Sequence, residues 1–77
     1  MTIMHIENLV QMVNQIESFF ASEPDHALAL EGIRGHIQRF WEPRMRRLII
    51  AHAAAGGEGL APLSLEAVRG LAPVKAA

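Results

Sequence analysis

Four histidines, eight carboxylates, three serines and seven cationic side chains are the groups in this sequence with reactive or ligating chemistry. His5, His26, His36 and His52 could ligate zinc, which takes several His, Cys or carboxylate ligands, commonly in close pairs. No two of them fall on one helical turn, so such a site would need ligands from separate helices. Cysteine is absent, which removes thiolate nucleophiles, disulfides and conventional iron–sulfur ligation. Ser18, Ser22 and Ser64 have no neighbouring base or oxyanion motif. The carboxylates are scattered rather than paired for acid–base work. Gly56-Gly57-Glu58-Gly59 lacks the preceding strand and following lysine of a phosphate-binding loop. The sequence therefore assigns no catalytic, cofactor-binding or metal-binding residue to this chain.

The chemistry that remains is recognition, and it concentrates in Arg39-Phe40-Trp41-Glu42-Pro43-Arg44-Met45-Arg46-Arg47. This stretch holds the only tryptophan and four of the seven cationic side chains. Pro43 has no amide proton and disfavours the α conformation at Glu42, so a helix ends here, the chain turns, and a new helix begins. Arginine suits a partner face, because its planar fork pairs with carboxylates and its stem covers apolar surface. Arg44, Arg46 and Arg47 cannot share one helical face, since successive residues rotate by about 100°. Ile50 is expected to point away from the core, beside arginines, a common interface composition. Trp41 is expected to pack in the core or at an adjoining interface rim. Trp41, Arg44, Arg46, Arg47 and Ile50 are thus the expected partner-binding residues.

The elements that position this corner read as an all-α fold: one domain over residues 1–77, with three main helices and a short fourth. The first helix is expected over about 3–21. Ile6, Leu9, Val10, Val13, Ile16 and Phe20 recur at three- and four-residue steps, with Met12 and Phe19 widening the apolar face into the core. Ser22 reads as the cap of a second helix over about 23–41, with Asp25 completing a capping box. The stripe of that helix is Leu30, Ile33, Ile37, Phe40 and Trp41. Gly32 and Gly35 read as sites of close helix packing, and Arg34 and Gln38 as an outward face. The third helix, about 43–55, presents Met45, Leu48, Ile49 and His52 to the core. The glycines after it read as a left-handed cap and hinge. A fourth helix is expected over about 62–71, and the tail 72–77 is expected to fray.

The chain has 77 residues, and a chain of this length buries only roughly 60% of its unfolded surface. Yet 51% of its residues are hydrophobic, which reads either as apolar surface hidden against a partner or as surface absorbed within a tight helical bundle. Residues 1–33 carry five acids and no lysine or arginine, whereas residues 34–47 carry five arginines against Glu42 alone. That asymmetry reads either as neutralisation between packed helices or as a basic docking face. The N-terminal stretch lacks the cationic and apolar regions of a signal peptide. No apolar run approaches the roughly 20 residues of a membrane span. A cytoplasmic protein without membrane contact is the expectation.

Leu9-Val10-Gln11-Met12-Val13-Asn14-Gln15-Ile16, the octapeptide Phe40-Trp41-Glu42-Pro43-Arg44-Met45-Arg46-Arg47, and Gly56-Gly57-Glu58-Gly59-Leu60-Ala61-Pro62-Leu63 stand in the order of a known family. Across about residues 9–71 the chain resembles the delta subunit of the soluble, multi-subunit, NAD-dependent formate dehydrogenases, which contain molybdenum or tungsten. Ala61 stands where a capping residue would be expected, so the fourth helix should start less firmly. The resemblance implies an accessory subunit, not catalytic alone, that supports assembly or stability of a complex oxidising formate and reducing NAD⁺. It implies that molybdopterin, iron–sulfur clusters and flavin reside in the large subunits, with no cofactor in this chain. The implied partners are the other subunits, the large catalytic one first. Two alternatives stand beside this reading. One is an assembly chaperone for molybdopterin insertion that leaves the mature enzyme. The other is a small helical regulator that binds nucleic acid, opposed by the acidic first half of the chain.

Overall fold

Residues 5–74 are described by the computed structural model. Four helices follow one another: α1 (Ile6–Phe20), α2 (His26–Phe40), α3 (Pro43–Ala54) and α4 (Pro62–Arg69). No strand occurs among the described residues, and the all-α reading of three main helices and a short fourth holds. α1 packs on the other three helices, and α4 bridges α2 and α3. The core gathers Leu9, Val13 and Ile16 of α1, Ile33 and Ile37 of α2, Ile49 and Ala53 of α3, and Ala67 and Val68 of α4. Leu71, past the end of α4, completes it.

The helix limits differ from the sequence reading for physical reasons. A start of the first helix at Ile3 lies outside the described residues, as does the end of the tail, 75–77; His5 is the extended residue before α1. α2 begins at His26 rather than Glu23, and its cap is Asp25 rather than Ser22. The Asp25 carboxylate accepts from the amides of Ala27, at 2.9 Å, and Leu28, at 3.3 Å. Pro24 disfavours the helical conformation at Glu23, so the helix waits for the next residue able to cap it. α4 stops at Arg69, with Gly70 as its cap.

Four apolar residues assigned to the core by periodicity lie outside it. Phe19 is 82% exposed and Phe40 is 71% exposed, while Leu48 is also open to solvent. Met12, expected to widen the core face of α1, is likewise exposed. Phe40 ends α2; Trp41 then leaves the helix with ψ near 137° and takes the buried place itself. The Phe40 ring instead lies against His36, with centroids 4.8 Å apart. In α3 the buried line runs through Ile49 and Ala53, which turns Leu48 outward. Phe19 has no neighbouring helix on its side, because Phe20 makes the contact with α2.

Gly32 has the close-packing role expected of it: a side chain there would collide with the Phe20 ring. Gly57 and Gly59 adopt φ of 66° and 88°, left-handed values that glycine tolerates without strain. The loop they form is clamped to α1 by a single side chain. Asn14 Nδ2 donates to the Gly59 carbonyl at 2.9 Å, and Asn14 Oδ1 accepts from the Ala61 amide at 3.0 Å. Ala61 offers no capping side chain, but its own amide is satisfied by Asn14, and Pro62 occupies the first turn. Two of the stretches that carry the family resemblance therefore meet at one residue. Asn14→Ala is expected to lower the unfolding free energy by about 1 kcal/mol, because it removes two hydrogen bonds and leaves the part-buried Ala61 amide without its partner, while the exposed Gly59 carbonyl turns to water. Urea unfolding followed by circular dichroism measures this; an unchanged midpoint would show that the clamp adds nothing.

Arg34 also differs from its expected outward placement. Its Nε donates to the Ala67 carbonyl at 2.9 Å and its Nη2 to the Glu66 carbonyl at 3.2 Å. These carbonyls belong to the last turn of α4, where a cation is also favoured by the helix dipole. The guanidinium fills the space a side chain at Gly70 would occupy. One of the five clustered arginines is thus committed to holding α4 on α2.

Candidate protein-docking site

The corner between α2 and α3 is built from its covalent geometry outward. Pro43 sits at the first position of α3, where its missing amide proton has no partner to lose. Glu42 is extended, as expected before a proline, and its carbonyl receives the Arg46 amide at 3.1 Å. The Trp41 amide donates to the Ile37 carbonyl at 3.0 Å, closing the last turn of α2. The indole is 5% exposed and belongs to the core, so of its two expected places it takes the first. Trp41 therefore ties the corner down from inside.

The outer surface of α3 is a continuous helical stripe. Arg44, Arg47, Leu48 and Ala51 follow steps of three, one and three, and all four are exposed. Arg46 and Ile50, four residues apart, lie on the flank of this stripe and are half-buried. Ile50 packs against the core, so Leu48 rather than Ile50 is the apolar residue framed by exposed arginines. Periodicity missed Leu48, because Met45, Leu48, Ile49 and His52 also satisfy helical spacing. The faces of the three arginines separate as the rotation argument requires: Arg44 and Arg47 outward, Arg46 sideways.

Electrostatics single out the same surface. Among the described residues the only close contacts between a basic side chain and a carboxylate are His5–Glu7 and His26–Glu66, both exposed. Among the described residues no carboxylate pairs with Arg39, Arg44, Arg46 or Arg47, although the first half of the chain holds five acids. Direct pairing between these arginines and the acids of the first half is thus absent among the described residues; attraction at longer range, within the screening length of about 8–10 Å, does not need such contacts. Arg46 Nε is buried and has no protein acceptor among the described residues. A buried unmet donor of this kind is costly and uncommon in a free fold.

Other chemistry finds no comparable arrangement. Among the described residues no group of three or more His, Asp or Glu side chains stands close enough to hold a metal ion. Ser64 is fully buried with an unpartnered hydroxyl and touches no base. No helix among the described residues is long and apolar enough to cross a membrane.

The family model described as NADH-dependent formate dehydrogenase delta subunit FdsD aligns with residues 8–68. No curated protein and no solved structure matches the chain. The aligned span takes in α2, α3, the glycine loop and nearly all of α1 and α4, so both the Asn14 clamp and the arginine corner fall inside it. The chain belongs to the NADH-dependent formate dehydrogenase delta subunit family.

Proposed function

We propose that this protein is a non-catalytic accessory subunit of an NAD-dependent formate dehydrogenase, and that it supports assembly or stability of the complex. It docks on the other subunits, the large catalytic one first, through the outer stripe of α3. Arg44 and Arg47 meet carboxylates of the partner, and Leu48 fills an apolar recess between them. Arg46 finds an acceptor for its unmet donor at the edge of the contact. Trp41 and Ile50 act from beneath, fixing the corner and the helix that present the stripe. The chain carries no cofactor of its own; molybdopterin, iron–sulfur clusters and flavin belong to its partners. It works in the cytoplasm, with neither nucleic acid nor membrane as a partner.

The observation that carries this reading is the arginine stripe left without carboxylate partners in a member of a delta-subunit family. Exposed arginine beside exposed apolar surface is the composition of protein interfaces. In such a setting charge complementarity sets partner choice and association rate. The experiment is purification of the active enzyme through a tag on its catalytic subunit. A permanent subunit is expected in fixed stoichiometry with the other chains, retained through gel filtration. Its presence only on cofactor-free catalytic subunit, and its loss from active enzyme, would make it a maturation chaperone instead.

A further inference from the structure

The outward face of α2 carries a second surface, on a different helix from the arginine stripe. Relative to Ile33 and Ile37, which face the core, the opposite side presents Leu28, Glu31, Gly35 and Arg39. Leu28 is 53% exposed. With Phe40 and His36 at its edge this face forms an open cleft of about 370 Å³. Nothing lies within 4 Å of where a Gly35 side chain would stand, so the backbone there is open to close approach. A glycine in mid-helix costs about 1 kcal/mol relative to alanine, and no intramolecular packing accounts for it at this position.

The charge order along the face identifies what covers it. Glu31 lies four residues before Gly35 and Arg39 four residues after it. Both are exposed, and neither forms an ion pair or side-chain hydrogen bond among the described residues. A two-fold axis passing Gly35 perpendicular to the helix would set Glu31 of one copy opposite Arg39 of the other, twice. The same operation carries the exposed Leu28 of each copy toward the Phe40 end of its mate. The two helices would run antiparallel, with their dipoles opposed, and the glycine would sit where the backbones come closest. Self-complementarity of this kind is what an isologous contact requires.

We infer that α2 is a self-association face, on which a second copy of this chain docks antiparallel about Gly35. The inference does not depend on the arginine stripe of α3, which lies on another helix and stays free in such a pair.

Sedimentation equilibrium of the full chain over micromolar to millimolar concentrations tests this. Wild type is expected to show a monomer–dimer equilibrium. Glu31→Arg or Arg39→Glu alone places like charges opposite one another, and each is expected to weaken the dimer roughly tenfold or more. The double variant Glu31→Arg/Arg39→Glu restores opposite charges and is expected to recover wild-type association. Gly35→Leu is expected to abolish the dimer while thermal unfolding of the monomer stays unchanged or rises, since leucine favours the helix. Arg44→Glu/Arg47→Glu should leave the dimer intact. A strictly monomeric wild type would overturn the inference, as would single reversals without effect or a double variant no better than the singles. None of these results bears on whether the α3 stripe binds the other subunits.

Discussion

Trp41→Ala is expected to remove about 3–5 kcal/mol of stability, the cost of emptying a large aromatic site in a packed core. The indole is buried, belongs to the core cluster, and stands between the end of α2 and the start of α3. Its removal leaves the corner defined by Pro43 alone, which fixes a backbone angle but supplies no buried area. A domain of this length has about 4–12 kcal/mol in total, so the loss takes a large fraction of that stability and unfolds the chain outright at the lower end of the range. Urea unfolding monitored at the helical circular dichroism band gives the number. Trp41→Phe should lose markedly less, since most of the ring volume is kept. A loss below about 1 kcal/mol for the alanine variant would mean that the corner does not depend on the indole.

The second large effect is on association rather than folding. Arg44→Glu/Arg47→Glu is expected to weaken binding to the remaining formate dehydrogenase subunits roughly a hundredfold, or about 2.8 kcal/mol. Both side chains are exposed and make no contact that the fold needs, so helicity and thermal midpoint should change little. Reversing charge converts attraction to repulsion at two points of one face, and like-charge juxtaposition across an interface costs several kcal/mol. The effect should shrink as salt rises, because exposed charges are screened within about 8–10 Å at ordinary ionic strength. Binding is measured by titrating the purified complex lacking this chain with each variant. If both reversals leave affinity and its salt dependence unchanged, the arginine stripe is a solvated surface.

Much of this fold is written in local pattern. The buried lines Leu9–Val13–Ile16 and Ile33–Ile37 follow helical spacing, and Pro43 and Gly56-Gly57 mark where helices start and stop. The residues that periodicity misplaced are instructive. Phe40 projects onto the core side of α2, yet it is the last residue of the helix, and Trp41 fills the one buried place available there. Leu48 and Ile50 are both apolar at plausible core spacing, and the choice between them depends on a rotation of α3 that Ile49 and the small Ala53 set together. Arg34 looks like surface charge until α4 folds back and presents its carbonyls. The Asn14 clamp joins residues more than forty positions apart, a distance at which spacing carries no signal. What local pattern cannot supply in each case is the identity of the neighbouring helix.

The docking surface was legible in part for the same reason. Arg44, Arg46 and Arg47 could be separated onto different faces by rotation alone, and the structure turns Arg44 and Arg47 outward. Whether the acids of the first half of the chain would absorb them depended on distances between helices. Among the described residues no arginine of the corner touches a carboxylate, and that is the observation on which the proposed basic surface rests.

Side-chain footprinting of this protein, free and within the reconstituted formate dehydrogenase complex, tests the docking account most directly. Hydroxyl radicals label Leu48 and Phe19 in the free chain, both exposed to solvent. On assembly with the other subunits, Leu48 and the flanking Arg44 and Arg47 are predicted to become protected, while Leu63 and Leu65 of α4 keep their free-state labelling. Unchanged labelling along α3, with protection confined to α4 and the glycine loop, would contradict it.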